Sequence, residues 1–86
     1  MVTRRMILVG DPTSHGGTVT TGSPYSDVEG KAVARLGDEV SCPQHGPNKI
    51  VEGESTYHVD NLPAAIEGHR TECGALLIGS CNNVVG

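Results

Sequence analysis

The sequence contains no tryptophan and no phenylalanine, and only two of its 86 residues are tyrosines. Aromatic side chains supply much of the buried apolar area in most domains, so the core here must be built from Val, Ile, Leu and Ala. A chain this short buries a modest fraction of its surface, and such domains often add disulfides, a structural metal or oligomerisation. The composition therefore predicts one small domain, residues 1–86, that needs a source of stability besides its core.

We also expect no secretory signal, since none is visible in the sequence. The basic pair Arg4-Arg5 is followed by only a short apolar run before Gly10-Asp11-Pro12, which is too short for the hydrophobic region of a signal peptide. No run approaches the length of a membrane span, so we expect no membrane anchor. The three cysteines, at positions 42, 73 and 81, cannot all pair within one chain. We therefore expect reduced thiols and a cytoplasmic origin.

Charge is sparse and scattered. The formal net charge is −4, and the six basic residues form no stripe and are not interleaved with aromatic residues. A nucleic-acid-binding surface needs such a basic patch, so the sequence argues against nucleic acid as a partner. The absence of blocks of like charge, together with frequent β-branched residues, also argues against a disordered chain.

Twelve glycines and five prolines interrupt every potential helix. Short segments rich in β-branched and aliphatic residues remain between them, which predicts an all-β fold of many short strands. The predicted strands are 6–9, 18–21, 32–36, 48–52, 58–60, 75–78 and 83–85. Tight turns that tolerate a left-handed backbone are predicted at Gly16-Gly17, Glu29-Gly30 and Asp60-Asn61.

One short sequence motif occurs three times with variations. It begins at Gly10, Gly37 and Gly68, and each copy places a His or Cys five residues after its glycine. A second glycine follows each copy, with a valine six residues further on. We interpret the chain as three units, roughly 1–28, 29–59 and 60–86. A single unit cannot bury its own apolar face, so we expect the units to pack together around a pseudo-threefold axis.

The repeated register predicts a metal site. Zinc favours four tetrahedral imidazole and thiolate ligands, and a site closed by four protein ligands is structural. The candidate ligands are His15, Cys42, His45, His58, His69, Cys73 and Cys81. Repeat symmetry selects three of them, and these are His15, Cys42 and Cys73. His45 lies in an insertion of the second unit, and His69 replaces the aspartate that follows the glycine in the other two units. Five candidates therefore remain for four places.

The other candidates have simpler interpretations. We expect His58 to be a solvated side chain, and Cys81, outside the repeated register, to act as a small apolar residue. Cys42 is either a ligand in place of His45 or a buried thiol beside the site. We call Gly10-Asp11 and Gly37-Asp38 the Gly-Asp corners, because the chain is expected to turn there. Their aspartate side chains are expected to accept hydrogen bonds from the backbone amides that follow them rather than to act as catalytic carboxylates.

The combined order of these motifs resembles the PAAR-repeat proteins. The motifs are Gly-Asp-x-x-x-His-Gly-Gly, Cys-Pro-x-His-Gly, Gly-His-x-x-x-Cys-Gly-Ala and the Gly-Ser corners, such as Gly22-Ser23 and Gly79-Ser80. The resemblance runs from about Met6 to Gly86. The tetrapeptide that gives the family its name is imperfect here, because it reads Ala-Val-Ala-Arg at 32–35 and Pro-Ala-Ala-Ile at 63–66.

The resemblance implies a small conical β-fold that caps and sharpens the trimeric VgrG spike of a bacterial type VI secretion system. A structural zinc ion near the tip would hold the fold together, with no enzymatic activity. The usual family ligands are three histidines and one cysteine, which implies His15, His45, His69 and Cys73, with Cys42 as the alternative to His45. One monomer would sit on one VgrG trimer, separate effector proteins are possible further partners, and export by the type VI apparatus would follow.

Two other functions compete with this one. A small zinc hydrolase would need an open coordination position for water and a general base, for which Asp38 is the candidate. A metal-buffering or redox-active thiol protein would instead show easily exchanged zinc and reactive Cys42 and Cys73.

Overall fold

The computed structural model describes residues 4–79 and 84–85, and within these ranges the chain is all-β and contains no helix. The predicted fold class is thus confirmed. The strands are β1 (Arg4–Arg5), β2 (Thr18–Val19), β3 (Asp27–Val28), β4 (Lys31–Ala32), β5 (Glu39–Ser41), β6 (Asn48–Lys49), β7 (Glu54–Val59), β8 (Leu62–Ala64) and β9 (Val84–Val85). The described part measures 31 × 28 × 21 Å along its principal axes, and it holds no helix long and apolar enough to cross a membrane.

Six short backbone segments pair into a closed ring. Antiparallel pairing links Pro12 with Thr18, β2 with β5, β5 with β6, Ile50 with Thr71, Arg70 with Leu76, and Leu77 with Thr13. Successive side chains of a strand point to opposite faces, and the sequence alternates accordingly. The inward residues Thr13, Val19, Val40, Ile50, Thr71 and Leu77 are at most 4% exposed, whereas their outward neighbours are exposed. Because the ring closes on itself, these segments leave no unpaired edge to be covered.

A second closed circuit is formed by three longer segments. The amide of Ile7 donates to Ala65 O (3.1 Å), the amide of Ala65 donates to Ala34 O (3.0 Å), and the amide of Ala34 donates to Ile7 O (2.8 Å). All three residues are fully buried, and they join the apolar residues of the six-segment ring in one core cluster. Each unit therefore contributes one member to the circuit. The pseudo-threefold axis, the conical outline and the unit boundaries remain predictions.

Two hairpins carry the tight turns that the sequence predicts. Glu29-Gly30 joins β3 to β4 and Asp60-Asn61 joins β7 to β8, with positive φ at all four residues. The pair of terminal strands repeats this arrangement, since Arg4 of β1 lies opposite Val85 of β9. Strands β1 and β9 thus pair at the place where the other two units have a hairpin with a two-residue turn.

The strand boundaries differ from the prediction in several places. Strands β1 and β3 were not predicted, and the predicted strands 6–9 and 75–78 form only isolated bridges. β5 was not predicted, because one apolar residue, Val40, between two polar ones gives a weak pattern. β8 was missed because Pro63 argues against a strand. β7 begins at Glu54 rather than at His58, since four consecutive exposed residues in it show no alternation. The predicted strand 83–85 begins outside the described residues.

Candidate metal centre

The three glycine corners share one hydrogen-bond arrangement. Gly10, Gly37 and Gly68 adopt φ values of 97°, 92° and 89°. After the first two, the aspartate side chain accepts from a backbone amide three residues earlier: Asp11 from Leu8 N at 2.9 Å, and Asp38 from Arg35 N at 2.8 Å. The predicted structural role of the aspartates agrees with this geometry, but the donors precede the corner rather than follow it. Both carboxylates are buried.

His69 performs the same task at the third corner. Its Nδ1 accepts from the amide of Ile66 at 3.2 Å, which requires a neutral ring with the proton on Nε2. Burial lowers the pKa of His69, and the nearby charge of Arg4 lowers it further. His69 therefore takes the place of the corner aspartate, and its Nδ1 is directed at the backbone of its own corner.

Two of the turns that follow the corners have the same backbone structure. Gly16 N donates to Thr13 O at 3.0 Å, and Gly74 N donates to Thr71 O at 2.9 Å. The glycines have φ values of 82° and 88°, a region that side chains disfavour and that closes the turn. The residue before each glycine is the one that carries the ligand group, so the first and third units present His15 and Cys73 in equivalent positions.

The second unit has a longer turn because of its insertion. Gly46 N donates to Cys42 O at 2.7 Å, which brings both ends of the segment Cys42–Gly46 together. Cys42 and His45 consequently lie on the same turn. The neighbouring turn comes close at Gly17, where a Cβ would lie 2.0 Å from Ser41 O. Only glycine permits this approach, which keeps the first and second turns side by side.

The three turns bring four potential ligands together. One ligand atom from each of His15, Cys42, His45 and Cys73 lies within 4.8 Å of all the others. His15 Nδ1 is 3.6 Å from Cys73 Sγ and 3.9 Å from Cys42 Sγ. Tetrahedral zinc with ordinary Zn–S and Zn–N bond lengths holds its sulfur and nitrogen ligands about 3.5 Å apart. The cluster could therefore hold a four-coordinate metal ion.

The electrostatics of the cluster favour the thiolate form of Cys73. The hydroxyl of Thr71, 3.2 Å from Cys73 Sγ, is the largest cause of a pKa lowered to about 7, and the Ala75 amide, His15 and Cys42 add to it against the effect of burial. A thiolate is the form that binds metal. Sequence reasoning did not identify Thr71, although the matching position of Thr13 in the first unit was a usable signal.

The structure brings together three members of the implied ligand set, His15, His45 and Cys73, but not His69. Cys42 lies in the cluster together with His45 instead of replacing it, and it is buried. The cluster contains two histidines and two cysteines rather than three and one. His58 is exposed on β7, and Cys81 lies outside the described residues.

A family model described as the PAAR motif matches residues 9–79 of the chain. Comparison with curated proteins gives no match. The matched segment includes all three corners and all four residues of the cluster. The chain therefore belongs to the PAAR-motif family, which is a family of structural spike-tip proteins of type VI secretion systems.

Proposed function

We propose that this protein caps and sharpens the trimeric VgrG spike of a bacterial type VI secretion system, and that a structural zinc ion bound by His15, Cys42, His45 and Cys73 holds its tip together. The observation that carries the proposal is the convergence of these four side chains from three successive turns within 4.8 Å. Family membership supplies the role, and the cluster supplies the means of stabilising a narrow tip.

The physical need for an ion follows from the composition of the turns. The segments 13–16, 42–46 and 71–74 consist mostly of small and polar residues, so they bury little apolar surface that would hold them together. A metal that binds all three turns links all three units, and its binding free energy becomes folding free energy. We therefore place the ion at the tip.

The donor set supports zinc in preference to iron. Two thiolates and two imidazoles suit the borderline-soft character of zinc and its tetrahedral geometry. The two thiolate charges also neutralise a divalent cation, which matters because Cys42 is only 4% exposed. With four protein ligands the site would be closed, and no position would be left for a catalytic water. The corner aspartates, including Asp38, are engaged with backbone amides. We accordingly propose a structural protein rather than a hydrolase.

The metal part of the proposal is tested by elemental analysis of the purified, reduced protein, which should give one zinc per chain. Replacement by Co²⁺ should produce the visible absorption of a tetrahedral site and sulfur-to-cobalt charge transfer from two thiolates. Cys42→Ser should weaken the charge-transfer band, whereas His69→Asp should leave the whole spectrum unchanged. A cobalt spectrum that responds to His69→Asp but not to Cys42→Ser would overturn the ligand assignment.

The partner part is tested with a purified VgrG trimer. Native mass spectrometry of the mixture should show one copy of this chain per trimer, as expected for a monomer on a threefold spike. Separate effector proteins are further candidate partners, and the protein would be cytoplasmic before it is exported by the apparatus. A zinc-loaded, folded protein that forms no complex with VgrG trimers of type VI systems would refute the capping role without affecting the zinc site.

A further inference from the structure

Two of the four clustered side chains are thiols, and they differ in access to solvent. Cys42 is 4% exposed, whereas Cys73 is partly exposed. Their sulfur atoms are no more than 4.8 Å apart, and His15 Nδ1 lies close to both of them. In a ligand set with one cysteine, that cysteine has no second thiol to react with. Here each of the two cysteines has the other as a reaction partner inside the same cluster.

We propose that Cys73 and Cys42 form a peroxide-sensitive thiol pair, in which oxidation to a disulfide releases the zinc ion and loosens the tip. The inference rests on the proposed zinc site. Cys73 is the thiol that meets the oxidant, because it is the more accessible of the two. Cys42 is the resolving thiol, because it is buried and its sulfur lies within 4.8 Å of that of Cys73.

The chemistry balances with hydrogen peroxide as the oxidant. The Cys73 thiolate attacks one peroxide oxygen, the O–O bond breaks, hydroxide leaves and a sulfenic acid remains. The Cys42 thiolate then attacks that sulfur, the S–O bond breaks and a second hydroxide leaves as the S–S bond forms. The two sulfur atoms give up two electrons, which reduce the peroxide. Zinc loses two of its four donors, and two imidazoles alone hold it weakly.

Both cysteines lie on turns. Cys73 lies in a four-residue turn that ends at Gly74, and Cys42 begins the turn that ends at Gly46. Neither cysteine lies within the apolar core clusters, so bond formation requires movement of turns rather than repacking of the core. We therefore expect the six-segment ring to persist after oxidation while the turns lose their common anchor.

The experiment uses the full chain in a Cys81→Ser background, so that only the two clustered thiols remain. The zinc-loaded protein is exposed to hydrogen peroxide, and zinc release is followed with a chromogenic chelator. Peptide mapping should show a Cys42–Cys73 disulfide, and dithiothreitol with added zinc should restore the original zinc content. The matched control is Cys73→His, which gives the third unit the ligand of the first unit and leaves no thiol pair. Its zinc release should be at least about tenfold slower, since a single buried thiolate is a poor target.

Cys42→Ser is the second control, because it keeps the accessible thiol but removes the resolving one. Its oxidation should stop at Cys73 without an intramolecular disulfide. The inference is refuted if the zinc-loaded protein keeps its metal under peroxide, if Cys73 is oxidised to sulfinic acid while Cys42 stays free, or if Cys73→His releases zinc at the same rate. A reduced protein that binds no zinc before any oxidant is added would instead refute the zinc site itself, and the inference with it.

Discussion

Substitution of His69 separates the two roles that this residue can have. If His69 is a metal ligand, its substitution abolishes zinc binding. If it is only the hydrogen-bond acceptor of its corner, its substitution removes one hydrogen bond and leaves zinc binding intact. In the structure its Nδ1 accepts from the amide of Ile66, as Asp11 and Asp38 accept at the equivalent corners. We therefore predict that His69→Ala destabilises the fold without loss of zinc, and that His69→Asp restores the stability.

The magnitude follows from the environment of the donor. Ile66 is 1% exposed, so its amide would be left buried after the histidine is truncated. A buried donor that loses its partner costs about 1–2 kcal/mol, which corresponds to a fall of about 4–15 °C in Tm for a domain of this size. His69→Asp should remain within about 0.5 kcal/mol of the parent near neutral pH, since a carboxylate accepts the same bond and gains from the charge of Arg4.

The assay combines thermal unfolding by circular dichroism with zinc analysis of each purified variant. His69→Ala should show a lower Tm and unchanged zinc content, and His69→Asp should show the parental value of both. If either variant loses its zinc under conditions where it is folded, His69 is a ligand and the explanation of the corner is wrong. Because both outcomes include lower stability for the alanine variant, the zinc content decides between them.

Three further predictions concern pH, the ligands and the chain ends. The pKa of His69 in the folded protein lies below its value in the unfolded chain, so the unfolded chain binds more protons as pH falls below about 6.5. The parent should therefore lose stability relative to His69→Asp between pH 7 and 5. An equal pH dependence of the denaturation curves of the two proteins across this range would contradict the prediction. Cys73→Ala should abolish zinc binding and lower Tm strongly, whereas His58→Ala, at an exposed position, should change neither; equal melting temperatures would show that Cys73 is not a ligand. A circular permutant that joins β9 to β1 by a short linker and opens the hairpin at 60–61 should keep the parental circular dichroism and zinc stoichiometry. Loss of both would contradict the equivalence of the β1–β9 pair and the hairpins.

Much of the fold could be predicted because its turns are determined by residues that are adjacent in the sequence. The turns at Glu29-Gly30 and Asp60-Asn61 were predicted from residues that tolerate positive φ, and the structure has them there. The repeated corners likewise marked where each unit changes direction. The ring closures could not be predicted, because pairs such as Thr13 with Leu77 join residues far apart in the chain. Strand β8 was hidden for another reason, since tertiary pairing accommodates Pro63 where local propensity disfavours it.

Repeat symmetry and family resemblance favoured different candidate ligands. Symmetry alone selected His15, Cys42 and Cys73, and the structure places all three in the cluster. The resemblance to the family then moved the prediction away from Cys42 and towards His69. The observation that His69 stands where the other units have an aspartate was available in the sequence. This position indicated that His69 has the structural role of the corner aspartate, because an imidazole nitrogen can replace a carboxylate oxygen as the acceptor of one backbone amide hydrogen bond.

In the proposed zinc site, three repeated units have to supply four coordination positions, and the insertion in the second unit accounts for the difference. Each unit offers one ligand at the same register, five residues after its corner glycine, which gives three donors. A fourth donor at an equivalent place in every unit would give six, more than tetrahedral zinc accepts. One unit therefore has to depart from the pattern, and the four added residues Pro43–Gly46 do so by returning the chain to the cluster at His45. Because the insertion lies beyond the paired segments, the six-segment ring closes regardless of its length. In the proposed site the fourth ligand is thus supplied without changing the strands that position the other three.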